Sequence, residues 1–209
     1  VFRDGCAEVI KYAVLKGEPL LGLVEKGIKE NAEAIIEVCV KIKRDIVEAD
    51  EFDHGERKLL NLGHTIGHAI EKSSNFNITH GSAVGAGMCM VTRAAVKNGT
   101  CPQAVLDRLI DLCERYCLPT DSDISADILY TAACSDKKRE KNDLTLILPR
   151  DLGDCIMKKI HWEVCFMTTP ALKIEPQMKA ALDAGFAAAF DGVPERYFSA
   201  PGRTEIGGN

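Results

Sequence analysis

The chain has 209 residues, with 26 Lys and Arg against 31 Asp and Glu, so its formal net charge is -5. A balance of this sign offers no basic surface, and we expect no nucleic-acid partner. The sequence contains neither a run of 18 apolar residues nor a basic N-terminal segment followed by an apolar one, which predicts no membrane contact, no signal peptide and a cytoplasmic location.

Cysteine usage points to the same compartment. The nine cysteines form an odd number, contain no C-x-x-C pair and lie mostly in apolar helical patterns. This usage is typical of buried thiols in a reducing environment rather than of disulfides or a zinc-thiolate site.

The first predicted element is a helix over residues 4–16. Because the sequence starts with Val1 inside this helical pattern, we expect the chain to be a piece of a longer protein. Glu8 and Lys11 are three residues apart and therefore lie on the same side of the helix. Taken alone, the pair is most simply interpreted as a solvated ion pair of little energetic weight.

A long helical pattern follows from Leu20 to about Ala49, with apolar residues at spacings of three and four. Gly22 and Gly27 interrupt it and could mark a break between two helices. Lys43 lies in its last turns, where a cation most simply serves as a surface charge near a helix C-terminus.

The central stretch runs from Asp53 to Gly81. If it is helical, at about 100° per residue, Arg57, Asn61, His64 and His68 fall within an arc of roughly 60°. His80 follows on a loop and adds a third imidazole, and imidazole is the commonest metal-binding side chain. A bare H-x-x-x-H could still be an ordinary polar helix face. Thr65 replaces the Glu that a zinc protease would need, so peptide hydrolysis is excluded.

The remaining elements surround this stretch. Residues 81–97 are predicted to form a helix whose small first turns allow another backbone to come close. Two amphipathic helices (103–117 and 125–135) and two short paired strands (144–148 and 154–159) complete the first domain. The basic cluster at 136–139 precedes the first strand and is either a solvated loop or a phosphate-binding segment.

Five motifs in this order resemble the C-terminal domain of the 3-dehydroquinate synthase family: AEVIKY at 7–12, DEFDHGER at 50–57, LNLGHTIGHAIE at 60–71, HGSAV at 80–84 and DKK at 136–138. The resemblance covers roughly residues 1–165 and implies a mainly α domain with a short β hairpin. In the family, this domain follows an N-terminal NAD-binding α/β domain that the sequence does not contain.

The resemblance assigns roles residue by residue. The implied metal ligands are Glu8, His64 and His80. The implied catalytic residues are His68, Lys11, Arg57, Asn61 and Asp53. The implied substrate-binding residues are Lys43, Lys137 and Lys138. These assignments outweigh the simpler interpretations of Glu8, Lys11 and Lys43 given above.

Two positions depart from the family pattern. Asp53 stands where Glu is usual, so its carboxylate is one methylene shorter and is expected to weaken acid-base or hydrogen-bonding work. Ser82 stands where H-G-E is usual, next to an implied ligand, and is expected to alter the surroundings of His80.

The resemblance also implies a reaction. The family converts 3-deoxy-D-arabino-heptulosonate 7-phosphate, a sugar-acid phosphate, to 3-dehydroquinate and phosphate, with NAD and a divalent metal, zinc or cobalt. The NAD would come from the N-terminal domain, and the complete enzyme is expected to be a homodimer. Alternatives are another sugar-phosphate cyclase, such as a 2-deoxy-scyllo-inosose synthase, and a catalytically silent metal-binding fragment.

We place a domain boundary near residue 170, giving domains 1–169 and 170–209. Residues 173–190 have an Ala-rich helical pattern. The segment PERYFSAPGRTEIGGN at 194–209 resembles the N-terminal substrate-side segment of galactokinases of the GHMP kinase family. The later ATP-binding loop of that family does not follow, so the tail predicts an incomplete kinase segment and no kinase activity.

Overall fold

The computed structural model describes residues 1–52, 55–136, 143–161, 196–200 and 203–207. The chain divides into two compact units, Val1–His161 and Trp162–Asn209. The helices of the first unit are, in order, α1 (Phe2–Lys16), α2 (Leu20–Lys26), α3 (Ala32–Ala49), a 3-10 helix (Glu56–Asn61), α4 (His64–Ser73), α5 (His80–Lys97), α6 (Gln103–Arg115) and α7 (Ala126–Asp136). Within the described ranges, no helix is long and apolar enough to cross a membrane.

The first helix forms as predicted from its apolar spacing. Ile10, Ala13 and Val14 are fully buried, and they fall on one face because they are three or four residues apart. The helix ends at Gly17, which has a φ of 65° and donates its N–H to the carbonyl of Ala13. Glycine adopts this left-handed conformation without steric cost, so it stops the helix at a defined residue.

The long pattern after residue 20 is divided, and the division confirms the alternative of two helices. The break comes at Gly27, with a φ of 124°, between the end of α2 and the start of α3. Gly22, the other candidate, lies inside α2.

The longest apolar helix, α5, lies at the centre of the unit. Its residues from Gly81 to Cys89 are all buried. One side packs with α1, α6 and the first strand of the hairpin described below, and the other forms a smaller core in which Ala83 and Ala86 meet Ala69 and Ile70 of α4. A helix that is apolar all round requires partners on all sides, and α5 has them.

The prediction of one continuous helix through Arg57, Asn61, His64 and His68 is wrong. Arg57 and Asn61 belong to the 3-10 helix, and α4 begins only at His64. Gly63 separates the two elements with a φ of 76°, and a Cβ at this position would lie 2.5 Å from the Met88 side chain and 2.8 Å from the Val84 carbonyl. The chain must change direction there to let α5 approach.

A hairpin closes the first unit, as the two short apolar runs predicted. Strands β1 (Asp143–Asp151) and β2 (Asp154–His161) pair antiparallel, with Leu148 opposite Ile156. The N–H of Gly153 in the turn donates to the carbonyl of Val14, which ties the hairpin to the end of α1. Ile147 and Leu148 are buried against the main core.

In the second unit, β3 (Arg196–Ala200) pairs antiparallel with β4 (Arg203–Gly207). The predicted helix at 173–190 lies outside the described residues. The proposed boundary near residue 170 therefore stays a prediction.

The contact between α4 and α5 supplies the first test. A Cβ on Gly87 would lie 2.2 Å from the Gly63 carbonyl oxygen and 2.9 Å from the Gly67 nitrogen, both backbone atoms that cannot rotate away. We expect Gly87→Ala to lower the free energy of unfolding by on the order of 2 kcal/mol, as overpacking does. Urea denaturation followed by circular dichroism measures the change.

Gly5→Ala is the matched control, because Gly5 is also helical but has nothing within 4 Å of its added Cβ. There the better helix propensity of Ala should raise the free energy of unfolding by roughly 0.5–1 kcal/mol. Equal stabilities of the two variants would contradict a close α4–α5 contact.

Candidate functional site

Helix α1 contributes two charged residues to the site, Glu8 and Lys11. The ammonium of Lys11 donates to Oε2 of Glu8 at 2.7 Å, and the Lys11 residue is only 3% exposed. A charge this deeply buried needs a partner. The interpretation of this pair as a solvated surface ion pair is therefore wrong.

The second oxygen of Glu8 is unusual. Oε1 is buried and has no hydrogen-bond partner among the described residues. Burial alone would raise the pKa of Glu8, but the neighbouring His64 imidazole and the Lys11 ammonium outweigh it and lower the pKa to about 2. Glu8 is therefore a carboxylate at any physiological pH, with one oxygen still able to accept a bond.

His64, the first residue of α4, directs one ring nitrogen at this oxygen. Its Nε2 lies 3.3 Å from Oε1 of Glu8, and its Nδ1 lies 3.1 Å from the Leu62 carbonyl oxygen. A carbonyl only accepts, so Nδ1 carries the proton and donates it. Nε2 is then the nitrogen that faces Glu8. It donates to Oε1 when the ring is protonated, and it offers a lone pair when the ring is neutral.

His80, the first residue of α5, is arranged in the same way. Its Nε2 lies 3.8 Å from Oε1 of Glu8, while its Nδ1 lies 3.2 and 3.3 Å from the two carboxylate oxygens of Glu71. The rings of His64 and His80 are 5.2 Å apart between centroids. Both rings thus use Nδ1 for an outer acceptor and turn Nε2 inward.

These three side chains fit a metal ion. Their ligand atoms all lie within 4.8 Å of one another. Two donors on a tetrahedral zinc are separated by roughly 3.4 Å, given bonds of about 2.1 Å, which is close to the two nitrogen–oxygen distances above. Two imidazole nitrogens with lone pairs and one carboxylate oxygen that accepts no hydrogen bond form a set of electron-pair donors that can coordinate a cation. His68 lies next to these residues, with its ring centroid 5.6 Å from that of His64 and 5.9 Å from that of His80.

Three more of the predicted site residues lie on other elements of the first unit, and the rest lie outside the described ranges. Arg57, on the 3-10 helix, donates from Nη1 to the Glu51 carbonyl, and Asn61 is exposed at the end of that helix. Lys43 is exposed on α3. The predicted residues that lie outside the described ranges are Asp53, Lys137 and Lys138.

Sequence reasoning missed Glu71 as a site residue, although it quoted the motif that contains it. Its side chain is 15% exposed and contacts His80 across the loop between α4 and α5. The signal was its position one helical turn after His68, on the same side of α4. Ser82, the departure next to His80, is buried and accepts a hydrogen bond from the Thr79 hydroxyl.

The fold and the site define a helical domain that gathers one carboxylate and two imidazoles from three different helices around a single point. Residues 5–139 match the model of the family described as 3-dehydroquinate synthase C-terminal. The chain belongs to this family.

Named relatives agree with the family match. A 3-dehydroquinate synthase of Clostridium botulinum is 41% identical over 170 residues, which cover 78% of this chain and 48% of the relative. One from Streptococcus pneumoniae is 37% identical over 168 residues, covering 77% of this chain and 47% of the relative. The chain spans about half the length of the curated relatives it matches.

Solved structures show the same fold in related cyclases. A 2-epi-5-epi-valiolone synthase from Streptomyces hygroscopicus, with NAD+ and Zn2+ bound, superimposes with a TM-score of 0.68 at 23% identity, over 79% of this chain and 50% of that one. A 2-deoxy-scyllo-inosose synthase complexed with carbaglucose-6-phosphate, NAD+ and Co2+ gives a TM-score of 0.64 at 19% identity, over 78% and 50%. The mainly α fold is therefore confirmed.

Replacing Lys11 tests the buried pair. In Lys11→Met the long apolar stem is kept but Glu8 loses its cation, so the free energy of unfolding should fall by on the order of 2 kcal/mol. The loss should be smaller than for a fully buried pair, because 36% of the Glu8 side chain is exposed. Chemical denaturation in the presence of a metal chelator measures it.

Lys41→Met is the control, since Lys41 pairs with Glu37 on α3 where both side chains are exposed. Exposed pairs contribute little, so stability should be unchanged within error. A Lys11→Met variant as stable as the control would show that Glu8 does not depend on Lys11.

Proposed function

We propose that this chain is the metal- and substrate-binding part of a 3-dehydroquinate synthase, which converts 3-deoxy-D-arabino-heptulosonate 7-phosphate to 3-dehydroquinate and phosphate. The observation that carries the proposal is the convergence of Glu8, His64 and His80 on one point, in a chain whose residues 5–139 match the family. The identity of 35–41% to proteins named 3-dehydroquinate synthase favours this reaction over the deoxy-inosose alternative, whose structures are 18–19% identical.

The metal would be held by Glu8 Oε1 and the Nε2 atoms of His64 and His80. When bound, a divalent zinc or cobalt ion supplies Lewis acidity to a substrate oxygen. NAD, bound by the other domain of the family, supplies transient hydride acceptance.

The residues of this chain would do the binding and the proton work. The substrate carries a carboxylate and a phosphate, so we assign its anionic ends to Lys43, Arg57, Lys137 and Lys138, which present positive charge. Lys11 keeps Glu8 ionised and in place. His68, beside both ligand imidazoles, is placed to hold or move a proton near neutral pH, because imidazole titrates there. Asn61 and Asp53 are assigned to substrate hydroxyls by the resemblance.

Cobalt binding tests the ligand set. We expect the 209-residue chain to bind Co2+ with the visible absorption of nitrogen and oxygen ligation, and His64→Ala to lose it because one of three ligands is gone. His68→Ala, on the same helix, should retain the spectrum. Equal spectra for His64→Ala and the unaltered chain would refute the proposed ligands.

Turnover tests the reaction. The 209 residues by themselves should release no phosphate from the substrate with NAD, because no G-x-G-x-x-G dinucleotide motif occurs in them. Joining them to the N-terminal domain of the C. botulinum relative should restore dehydroquinate formation, and Asp53→Glu should raise its rate. Phosphate release by the 209 residues alone would contradict the claim that the reaction needs an NAD-binding domain from outside them.

The family resemblance also implies a homodimer for the complete enzyme, and the segment at 194–209 resembles that of galactokinases. We keep both as proposals. Light scattering of the joined protein tests the first.

A further inference from the structure

Glu71 contacts His80 in the candidate site, but the proposed reaction gives Glu71 no role. Both of its carboxylate oxygens face Nδ1 of His80, at 3.2 and 3.3 Å. We propose that Glu71 is a positioning residue that fixes His80 in the Nδ1–H tautomer and so presents Nε2 to the metal site. This inference rests on the proposed function, because it concerns the ligand set proposed there.

The first step of the argument is that an ionised carboxylate only accepts hydrogen bonds. An Nδ1 facing two such oxygens must therefore carry the proton. A neutral imidazole has one protonated and one unprotonated nitrogen, so the lone pair lies on Nε2. That nitrogen is the one that faces Oε1 of Glu8 at 3.8 Å.

The second step is that hydrogen bonds fix the backbone of Glu71 at the end of α4 and that its side chain is mostly buried. Its carbonyl accepts from the Phe76 N–H at 2.8 Å and from the Ser74 hydroxyl at 3.0 Å, in the turn that ends α4. The Phe76 contact spans five residues, as in a Schellman motif, and fixes the last turn of the helix. Its side chain, 15% exposed, has little freedom to leave His80.

The third step is that His80 needs such a partner more than His64 does. His64 has the Leu62 carbonyl, two residues away on the same segment, as its Nδ1 acceptor. The His80 side chain is 46% exposed against 13% for His64. Packing alone does not fix a ring so open to water, so the carboxylate contact must supply the orientation.

Glu71 could instead be a ligand, since the ligand atoms of His68, Glu71 and His80 also lie within 4.8 Å of one another. The contacts favour the positioning role. Nδ1 of His80 cannot both donate a hydrogen bond to Glu71 and coordinate an ion that it shares with Glu71. The two roles predict different behaviour for a glutamine. A Gln amide oxygen can accept a hydrogen bond from Nδ1–H, but a neutral amide is a poor substitute for a carboxylate ligand.

The experiment compares zinc dissociation constants, measured by chelator competition, for the 209-residue chain and its variants. We expect Glu71→Ala to weaken zinc binding about 10–100-fold, the usual effect of losing an outer partner of a ligand, and Glu71→Gln to recover most of the loss. Glu114→Ala removes the same charge from an exposed position on α6 and should match the unaltered chain.

A second readout needs no metal. Nitrogen-15 spectra of the histidine rings in the zinc-free chain should show His80 as the Nδ1–H tautomer. In Glu71→Ala this preference should be lost. A merely structural role for Glu71 would leave it unchanged.

Three results would overturn the inference: Glu71→Ala binding zinc as tightly as Glu114→Ala, Glu71→Gln binding as weakly as Glu71→Ala, or an unchanged His80 tautomer in Glu71→Ala. If Glu71→Ala does not fold, Glu71→Asp replaces it, because the shorter side chain keeps the charge but loses the reach. His64→Ala in the same titration tests the proposed metal site separately. If that variant binds zinc normally, the site is wrong whatever Glu71 does.

Discussion

The site depends on how closely α5 can approach α4 and α1. A Cβ on Gly81 would lie 2.2 Å from the Cα of Asp4, and one on Gly87 would lie 2.2 Å from the Gly63 carbonyl oxygen. The Gly81 N–H also donates to the Asp4 carboxylate at 3.1 Å, so the start of α5 is bonded to α1. Because no side chain separates these backbones, ligands from three helices can reach one point.

Charge and hydrogen bonding then prepare that point. Glu8 uses one oxygen for Lys11, and its other oxygen has no hydrogen-bond partner in the described part of the chain, while His64 and His80 each use Nδ1 for an acceptor outside the site. Each group thus has one atom satisfied by the protein and one directed inward. An arrangement in which the protein satisfies only the outward atoms favours a cation at the centre, because otherwise lone pairs and negative charge would face one another.

Several parts of the fold could be predicted from the sequence. Period-3.6 patterns located α1, α5, α6 and α7 to within a few residues, since each buries apolar residues at helical spacing. The hairpin followed from two apolar runs of strand length. The helical arc through Arg57, Asn61 and His64 failed, because spacing along a chain assumes a continuous helix and Gly63 breaks it.

The sequence by itself determined the family and the helical class, and it predicted Glu8, His64 and His80 as metal ligands, because these rest on local patterns and on motifs read in order. Tertiary structure decided the surroundings of those residues. It buries Lys11, leaves Oε1 of Glu8 without a hydrogen-bond partner in the described part of the chain, turns Nε2 of both histidines toward Glu8 and brings Glu71 into contact with His80. These contacts join residues from separate helices, and the distances between them are set by backbone packing at Gly63, Gly81 and Gly87. Sequence spacing within any one helix does not encode that packing.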